Sequence, residues 1–487
     1  MSLNRVIRGS IWLYVSSIVF TFFGFIYWLM ASRFVPSSVV GAAGSVIGIA
    51  TIISSIFSLG ISYGATRMFG RAWGDNDHQS LSKYFASITA LCVAINVAVA
   101  IVILLMGTAF GFTQSEIPYI AVLIVLNALP LIPSALFNST LKTEVIAMSL
   151  IISSLLRLVI GVALLYMGTG FLGVIMANVV SGVAQTVIYF AMIHGTVSLF
   201  RPAFQPAKES LKTGIPYWIP SVVSASGSWL GVISVNSISG AAQAGTYLMA
   251  FNISNIIYGI PLYLLGLMFP VLSGMKDNRK RATSNAVRLT SAVIAPLAAV
   301  LIAYPYVPLS LLGASYLSAS GALQILMIGC FAYPISAGFN SLIYAYGKYR
   351  YVTILGLATT LPQFLLYFLL VGIWGNNGAA LSYIIGLFVA LVVVLLLSRR
   401  VGYSVGWGAS LIFAAIPSAL AVMLIFVHLF WVIGTVIIIA VSFFAYAKLG
   451  VVTRSDLTEV STAFLSRKRL DSIYPYARYI LNVLYGE

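Results

Sequence analysis

Ser134-Ala135-Leu136-Phe137-Asn138-Ser139 decides how the chain is read, because it returns as Ser336-Ala337-Gly338-Phe339-Asn340-Ser341 with five of six residues unchanged. The separation is 202 residues, and other features keep nearly that offset. Pro36 and Gly41 answer to Gly240 and Gly245 at 204, Gly170 and Gly173 to Gly375 and Gly378 at 205, and Arg8 to Lys212 at 204. A period near 200 is far longer than the roughly 20 to 50 residues of a solenoid unit. It fits two similar halves facing one another across a shared site.

Outward from this repeat, composition sets the class. Hydrophobic residues make up 61% of the chain and charged residues 7%, against about 25% charged in soluble domains. The chain is therefore an all-α polytopic membrane protein. Its 487 residues hold about fourteen transmembrane helices if each span takes roughly 20 apolar residues and a short connection. Cys92 and Cys330 both fall inside apolar runs and read as small buried hydrophobes, not as a disulfide or metal site.

The first apolar run, 10–32, follows Arg5 and Arg8. It is too long for a signal-peptide core, so it reads as an uncleaved first span with the N-terminus in the cytoplasm. Arg33 closes it before a turn over Pro36 to Gly41. The second span is expected to reach about Thr66 and to finish in Gly60-Ile61-Ser62-Tyr63-Gly64. Spans three to six are expected at 84–107, 117–140, 145–167 and 171–193. A proline- and charge-rich loop over 201–212 divides the halves. Six more spans follow near 213–235, 246–272, 287–312, 318–345, 351–372 and 378–398, then a hairpin at 408–427 and 429–447.

The expected organisation is two pseudo-symmetric six-helix lobes, 1–200 and 201–400, then a hairpin over 401–448 and a cytoplasmic tail over 449–487. In that tail Arg467-Lys468-Arg469 leads into an amphipathic stretch, Leu470 to Tyr485, that suits the membrane surface. On this topology every Lys and Arg except Arg33 and Arg157 lies on the cytoplasmic side. The net charge of +16 is thus a signal of topology and of attraction to anionic membrane lipids. It is not a nucleic-acid footprint. Pro130 and Pro133 interrupt span four, and Pro334 interrupts its counterpart. Such kinks mark candidate hinges, although a static packing kink fits the sequence equally well.

The chain has no Gly-x-x-x-x-Gly-Lys-Ser/Thr loop for ATP, no Cys/His cluster with metal spacing, and no Asp or Glu inside an apolar span. No cofactor is expected. Cation-coupled exporters commonly carry intramembrane carboxylates, so their absence weighs against a cation-coupled multidrug or metabolite antiporter. A membrane-embedded glycosyltransferase or ligase would need acidic or metal-binding residues in sizeable outer loops, and these loops are short and almost uncharged. A scaffold role would not call for kinked, repeated spans.

The intramembrane charge that exists is positive. Arg157 stands roughly 18 Å into its helix at 1.5 Å per residue, near the middle of a ~30 Å hydrocarbon core. It should face carbonyls, water or an anionic ligand, because an unpartnered cation there costs on the order of 3 kcal/mol. Arg33, at a helix end, reads more simply as a snorkelling side chain. The spans also carry the amides Asn127, Asn138, Asn178, Gln185, Asn252, Asn255, Gln324, Asn340 and Gln363, with many tyrosines. Amides and aromatics suit hydroxyl-rich ligands such as sugars, while each alone is more often a helix-packing contact.

The basic start, the Pro36 to Gly41 turn, the Gly-rich second span ending at Arg67, the two six-helix halves and the final hairpin have a counterpart among known families. Together they resemble the polysaccharide-transporter (Wzx-like) branch of the multidrug/oligosaccharidyl-lipid/polysaccharide (MOP) exporter superfamily, whose fold is MATE-like. Val452-Thr453-Arg454-Ser455-Asp456-Leu457 is similar to the tails of archaeal members. The resemblance implies a monomeric flippase of the plasma membrane that moves a lipid-linked oligosaccharide, on a polyprenyl or dolichyl (di)phosphate, from the inner to the outer leaflet. It implies that Arg157 and Arg33 are cavity cations binding the substrate phosphate, with the sugars left to the amides and tyrosines.

Overall fold

A computed structural model of the protein describes residues 3–193, 196–197, 202–275 and 277–454. The amphipathic stretch 470–485 and most of the tail lie outside the described residues. No strand occurs among the described residues. That follows from composition, since a lipid-facing backbone has no water to bond and must close its hydrogen bonds within each helix.

The first eight helices are α1 (Leu3–Phe34), α2 (Ser37–Phe57), α3 (Ile61–Gly74), α4 (His78–Met106), α5 (Ile117–Ala128), α6 (Leu131–Ser139), α7 (Thr143–Tyr166) and α8 (Gly170–Ile193). Next come α9 (Phe204–Ser239), α10 (Ala241–Gly274), α11 (Arg279–Ala303), α12 (Tyr306–Leu312), α13 (Ser320–Ile328) and α14 (Tyr333–Ala345). The 53-residue α15 (Tyr349–Val401), α16 (Trp407–Val427) and α17 (Trp431–Lys448) complete the set.

Among the described residues, twelve helices are long and apolar enough to cross a membrane, against about fourteen expected. The difference has two sources. The long α15 counts once, although Gly375 breaks it with a non-helical φ of 51° and ψ of −126°. That break falls between the expected spans 351–372 and 378–398. The serine-bearing α9, which contains the expected span 213–235, is not among the twelve.

Two local expectations are corrected. The Gly60-to-Gly64 stretch does not end a span. It starts α3, after Leu59 and Gly60 take φ of 47° and 69°. A Cβ at Gly60 would overlap the Gly214 carbonyl of α9, so both backbones meet there. The break is stabilised from α9, where Trp218 Nε1 donates to the Ile56 carbonyl at 2.7 Å and Ser210 Oγ to the Ile61 carbonyl at 3.0 Å. Secondly, the span expected at 287–312 is not one helix: α11 begins eight residues earlier at Arg279 and ends at Ala303, and the short α12 covers Tyr306–Leu312. Arg288 consequently stands inside the helix, roughly 14 Å from its start at 1.5 Å per residue.

By backbone contacts the chain divides into two compact units, residues 1–256, 308–322 and 348–390, and residues 257–307, 323–347 and 391–487. In the first unit α1 packs on α7 and α7 on α8, α9 lies against α2 and α3, and α4 supports α5. A buried cluster beneath α3, α4, α6 and α8 includes Phe69, Leu81, Cys92, Leu136 and Phe137. Asp77 caps α4, and the hydrogen bonds it takes from Ser80 hold its carboxyl below the usual carboxylate range. In the second unit α11 packs against α14, α16 and α17. There the Phe413 and Tyr446 rings meet edge-on at 4.8 Å, and the Tyr446 hydroxyl donates to the Phe413 carbonyl.

The repeated hexapeptides occupy equivalent local settings. Residues 134–139 lie in α6, which starts anew after Leu129 and Pro130. Residues 336–341 lie in α14, which starts after a 3-10 turn over Gly329–Phe331 with Pro334 in its first turn. Gly41 and Gly245, offset partners in the sequence, are neighbours in the first unit. A Cβ on Gly41 would overlap the Ala241 carbonyl, and one on Gly245 the Ser37 carbonyl.

Candidate functional site

In the first unit α3, α5, α6 and α8 leave a cavity of about 460 Å³ between them. Its polar lining comes in pairs four residues apart, which one face of a helix presents together. They are Ser62 and Thr66 on α3, Ser134 and Asn138 on α6, and Gln185 and Tyr189 on α8. Asn127 of α5 and the large, half-exposed Tyr63 complete the polar wall. Thr66 Oγ1 donates to the Ser62 carbonyl at 2.8 Å, and Gln185 Nε2 reaches the Tyr189 hydroxyl at 3.5 Å.

The room for this cavity comes from Pro130 and Gly182, both in its wall. Pro130 has no N–H for the carbonyl four residues back, so the helix stops at Ala128 and restarts at Leu131. Gly182 carries no side chain, and a Cβ there would stand in ordinary contact with Leu126 at 3.6 Å. Every lining residue is uncharged. Among the described residues no group of three His, Cys, Asp or Glu could hold a metal ion. Such a wall donates and accepts hydrogen bonds without titrating between pH 5 and 8.

Of the nine amides singled out in the sequence, Asn127, Asn138 and Gln185 meet at this cavity. Asn178 donates instead to its own Val174 carbonyl at 2.9 Å. Gln363, 1% exposed, holds the Tyr383 carbonyl at 3.0 Å and so ties the two arms of α15 together. Asn252 and Asn255 lie on α10, and the Asn252 amide nitrogen is buried without an acceptor. Gln324, which donates to Ile302 at 2.8 Å, and Asn340 belong to the second unit. Pro133 is buried inside α6. Ser62, Tyr63, Thr66, Ser134 and Tyr189 were not read as site residues, although the spacing of four from Ser62 to Thr66, Ser134 to Asn138 and Gln185 to Tyr189 was legible.

Arg157 does not line the cavity. It lies within α7, roughly 21 Å from the start of the helix and 14 Å from its end. Its Cζ stands 4.5 Å from the centre of the Tyr27 ring and 5.6 Å from that of Trp28, both in α1. The sequence reading sought carbonyls, water or an anion around this charge, and the structure places two aromatic rings there. Such contacts contribute about 2 kcal/mol when desolvated. Arg157 Nε is buried without a hydrogen-bond acceptor, and so is the Tyr27 hydroxyl. Arg33, in the last turn of α1, is exposed.

A family model described as a polysaccharide biosynthesis protein matches residues 32–321. No curated protein sequence matches the chain. Among solved structures, the lipid II flippase MurJ in an inward closed conformation matches with a TM-score of 0.74 and 13% identity, over 90% of this chain and 99% of that one. An outward-facing multidrug resistance MATE family transporter of the MOP superfamily matches with a TM-score of 0.59 and 17% identity, over 82% and 95%. A MOP superfamily transporter from Pyrococcus furiosus, described for the reverse polarity of its binding pocket, gives 0.57 and 17% over the same shares. At these identities the structures show a common fold. With the family model covering more than half of its length, the chain belongs to the polysaccharide biosynthesis protein family, as a multi-pass helical membrane protein with the fold of MOP-superfamily members.

Proposed function

We propose that the protein is a flippase that carries a glycan linked to a polyprenyl or dolichyl (di)phosphate from the cytoplasmic to the outer leaflet. The observation that carries this reading is the uncharged cavity, whose paired hydroxyls and amides match the donor and acceptor edge of a sugar. Its volume of about 460 Å³ suits part of an oligosaccharide. The phosphate is assigned to Arg157, with Arg33 as a guiding cation nearer the helix end, and the lipid tail stays in the bilayer. The family name and a structural neighbour named for flipping lipid II support a lipid-linked substrate. Access alternates as lobe 1–200 rocks against lobe 201–400, with the breaks at Pro130, Pro133 and Pro334 as hinges. A cation-coupled antiporter finds no carboxylate in the cavity wall to carry its ion.

The test is to fill the cavity. Gly182→Leu puts a branched side chain into it from α8, where the replaced glycine is itself an unfavourable helix residue by about 1 kcal/mol. Export of lipid-linked glycan in cells lacking their own flippase should fall at least tenfold, with protein level and melting temperature kept. Parental export by Gly182→Leu would remove this cavity from the transport path.

A further inference from the structure

We propose that Tyr27 and Trp28 form an aromatic platform that aims Arg157 at the substrate phosphate, with the Tyr27 hydroxyl as a second donor to it. This rests on the phosphate being read at Arg157, and it adds positioning residues on a different helix.

The platform explains how a cation is held in mid-helix before any ligand arrives. Tyr27 is fully buried and Trp28 is 6% exposed, and their rings meet edge-on at 5.5 Å. The guanidinium lies over both faces. A guanidinium held over rings by its carbon keeps all its N–H groups in its own plane, the geometry that forks onto two oxygens. The Nε–H at that edge has no acceptor, and neither has the hydroxyl of the ring beneath it. Two buried donors without partners, on residues in contact and one of them on a cation, suit an anion with several acceptor oxygens. A phosphate or diphosphate ester is that class of ligand.

Gly161, one turn beyond Arg157 on α7, makes the arrangement possible. A Cβ there would stand 2.6 Å from the Tyr27 ring and 2.7 Å from the Ala177 Cβ of α8. The ring slides under the guanidinium only because position 161 has no side chain.

The test uses the full chain in detergent, with farnesyl diphosphate as probe and farnesol as its uncharged control. Thermal shift and calorimetric affinity are read for the parent, Arg157→Ala, Tyr27→Phe and Gly161→Ala. Farnesyl diphosphate, and not farnesol, should stabilise the parent. Tyr27→Phe keeps the ring and loses one donor to a charged group, so its affinity for the diphosphate should drop on the order of tenfold. Its ligand-free melting temperature should stay level or rise, because an unsatisfied buried hydroxyl is removed, whereas a merely structural tyrosine would lower it. Gly161→Ala should show a comparable loss of affinity. Should it not fold, Tyr27→Leu, which removes the ring, takes its place. Parental affinity in Tyr27→Phe, beside lost binding in Arg157→Ala, would overturn the hydroxyl as a donor, and parental affinity in the variant that displaces or removes the ring would overturn the platform and leave the phosphate at Arg157. No preference for the diphosphate in the parent would overturn both.

Discussion

Arg157 shows how one residue divides between what a sequence reveals and what it hides. A lone cation in an apolar run is conspicuous, since its placement costs on the order of 3 kcal/mol. Its partners are not, because Tyr27 and Trp28 sit on another helix in a chain where 13% of residues are aromatic. The structure sharpens the prediction for this position. Arg157→Ala should abolish export while the protein still inserts, and its melting temperature should move little because lost ring contacts and a relieved buried charge oppose one another. Arg157→Lys retains a charge over the rings but loses the fork, so export should be partial. Full export by Arg157→Ala, measured beside protein level, would take the phosphate away from this residue. The cavity amides were legible as a set of nine and not as the three that converge, because spacing within one helix says which residues share a face but not which face meets another helix.

Among the elements, α2 and α10 carry the most exacting contact. Gly41 and Gly245 each stand where the other helix brings its backbone, so neither position tolerates even a methyl group without separating the helices. A flexible side chain can rotate away, whereas a carbonyl in a helix cannot. Gly41→Ala should therefore push the ends of α2 and α10 apart. In proteoliposomes a Ser37→Cys reporter should then react with a water-soluble maleimide several-fold faster than it does with Gly41 intact. Unchanged reactivity would mean that the helices absorb the methyl group locally. The sequence offered both glycines as offset partners but could not show that they touch. It also misread the Gly60 region as a helix end. The same residues that break α2 let α3 begin, and the donors that stabilise the break, Ser210 and Trp218, come from α9, some 150 residues further on.

For the whole molecule, composition and the length of the apolar runs were enough to reach the class and the order of spans, with helix ends mostly within a few residues, while the MATE-like fold was reached through the family resemblance. Apolar run length is a strong signal in lipid, and no competing architecture closes its hydrogen bonds there. What composition could not supply was depth. The early start of α11 carries Arg288 inward, and Gly375 separates two spans by a kink of a single residue where a loop was expected. Both depend on local backbone geometry that hydropathy averages away.

The neutral lining of the cavity also has an electrical meaning. A charge crossing a membrane exchanges about 2.3 kcal/mol with each 100 mV of potential. Hydroxyls and amides carry no charge through that field, so a sugar moving past Asn127, Asn138 and Gln185 performs no electrical work. The phosphate alone does, and a negative group leaving an inside-negative cell moves downhill. On the flippase reading, the resting potential pulls the substrate outward through its headgroup and is blind to its glycan. Collapsing the potential with valinomycin and potassium should slow export of diphosphate carriers more than of monophosphate carriers, whatever sugar they bear. Equal rates at zero and at about −100 mV would show that the headgroup charge is matched by another ion moving with it.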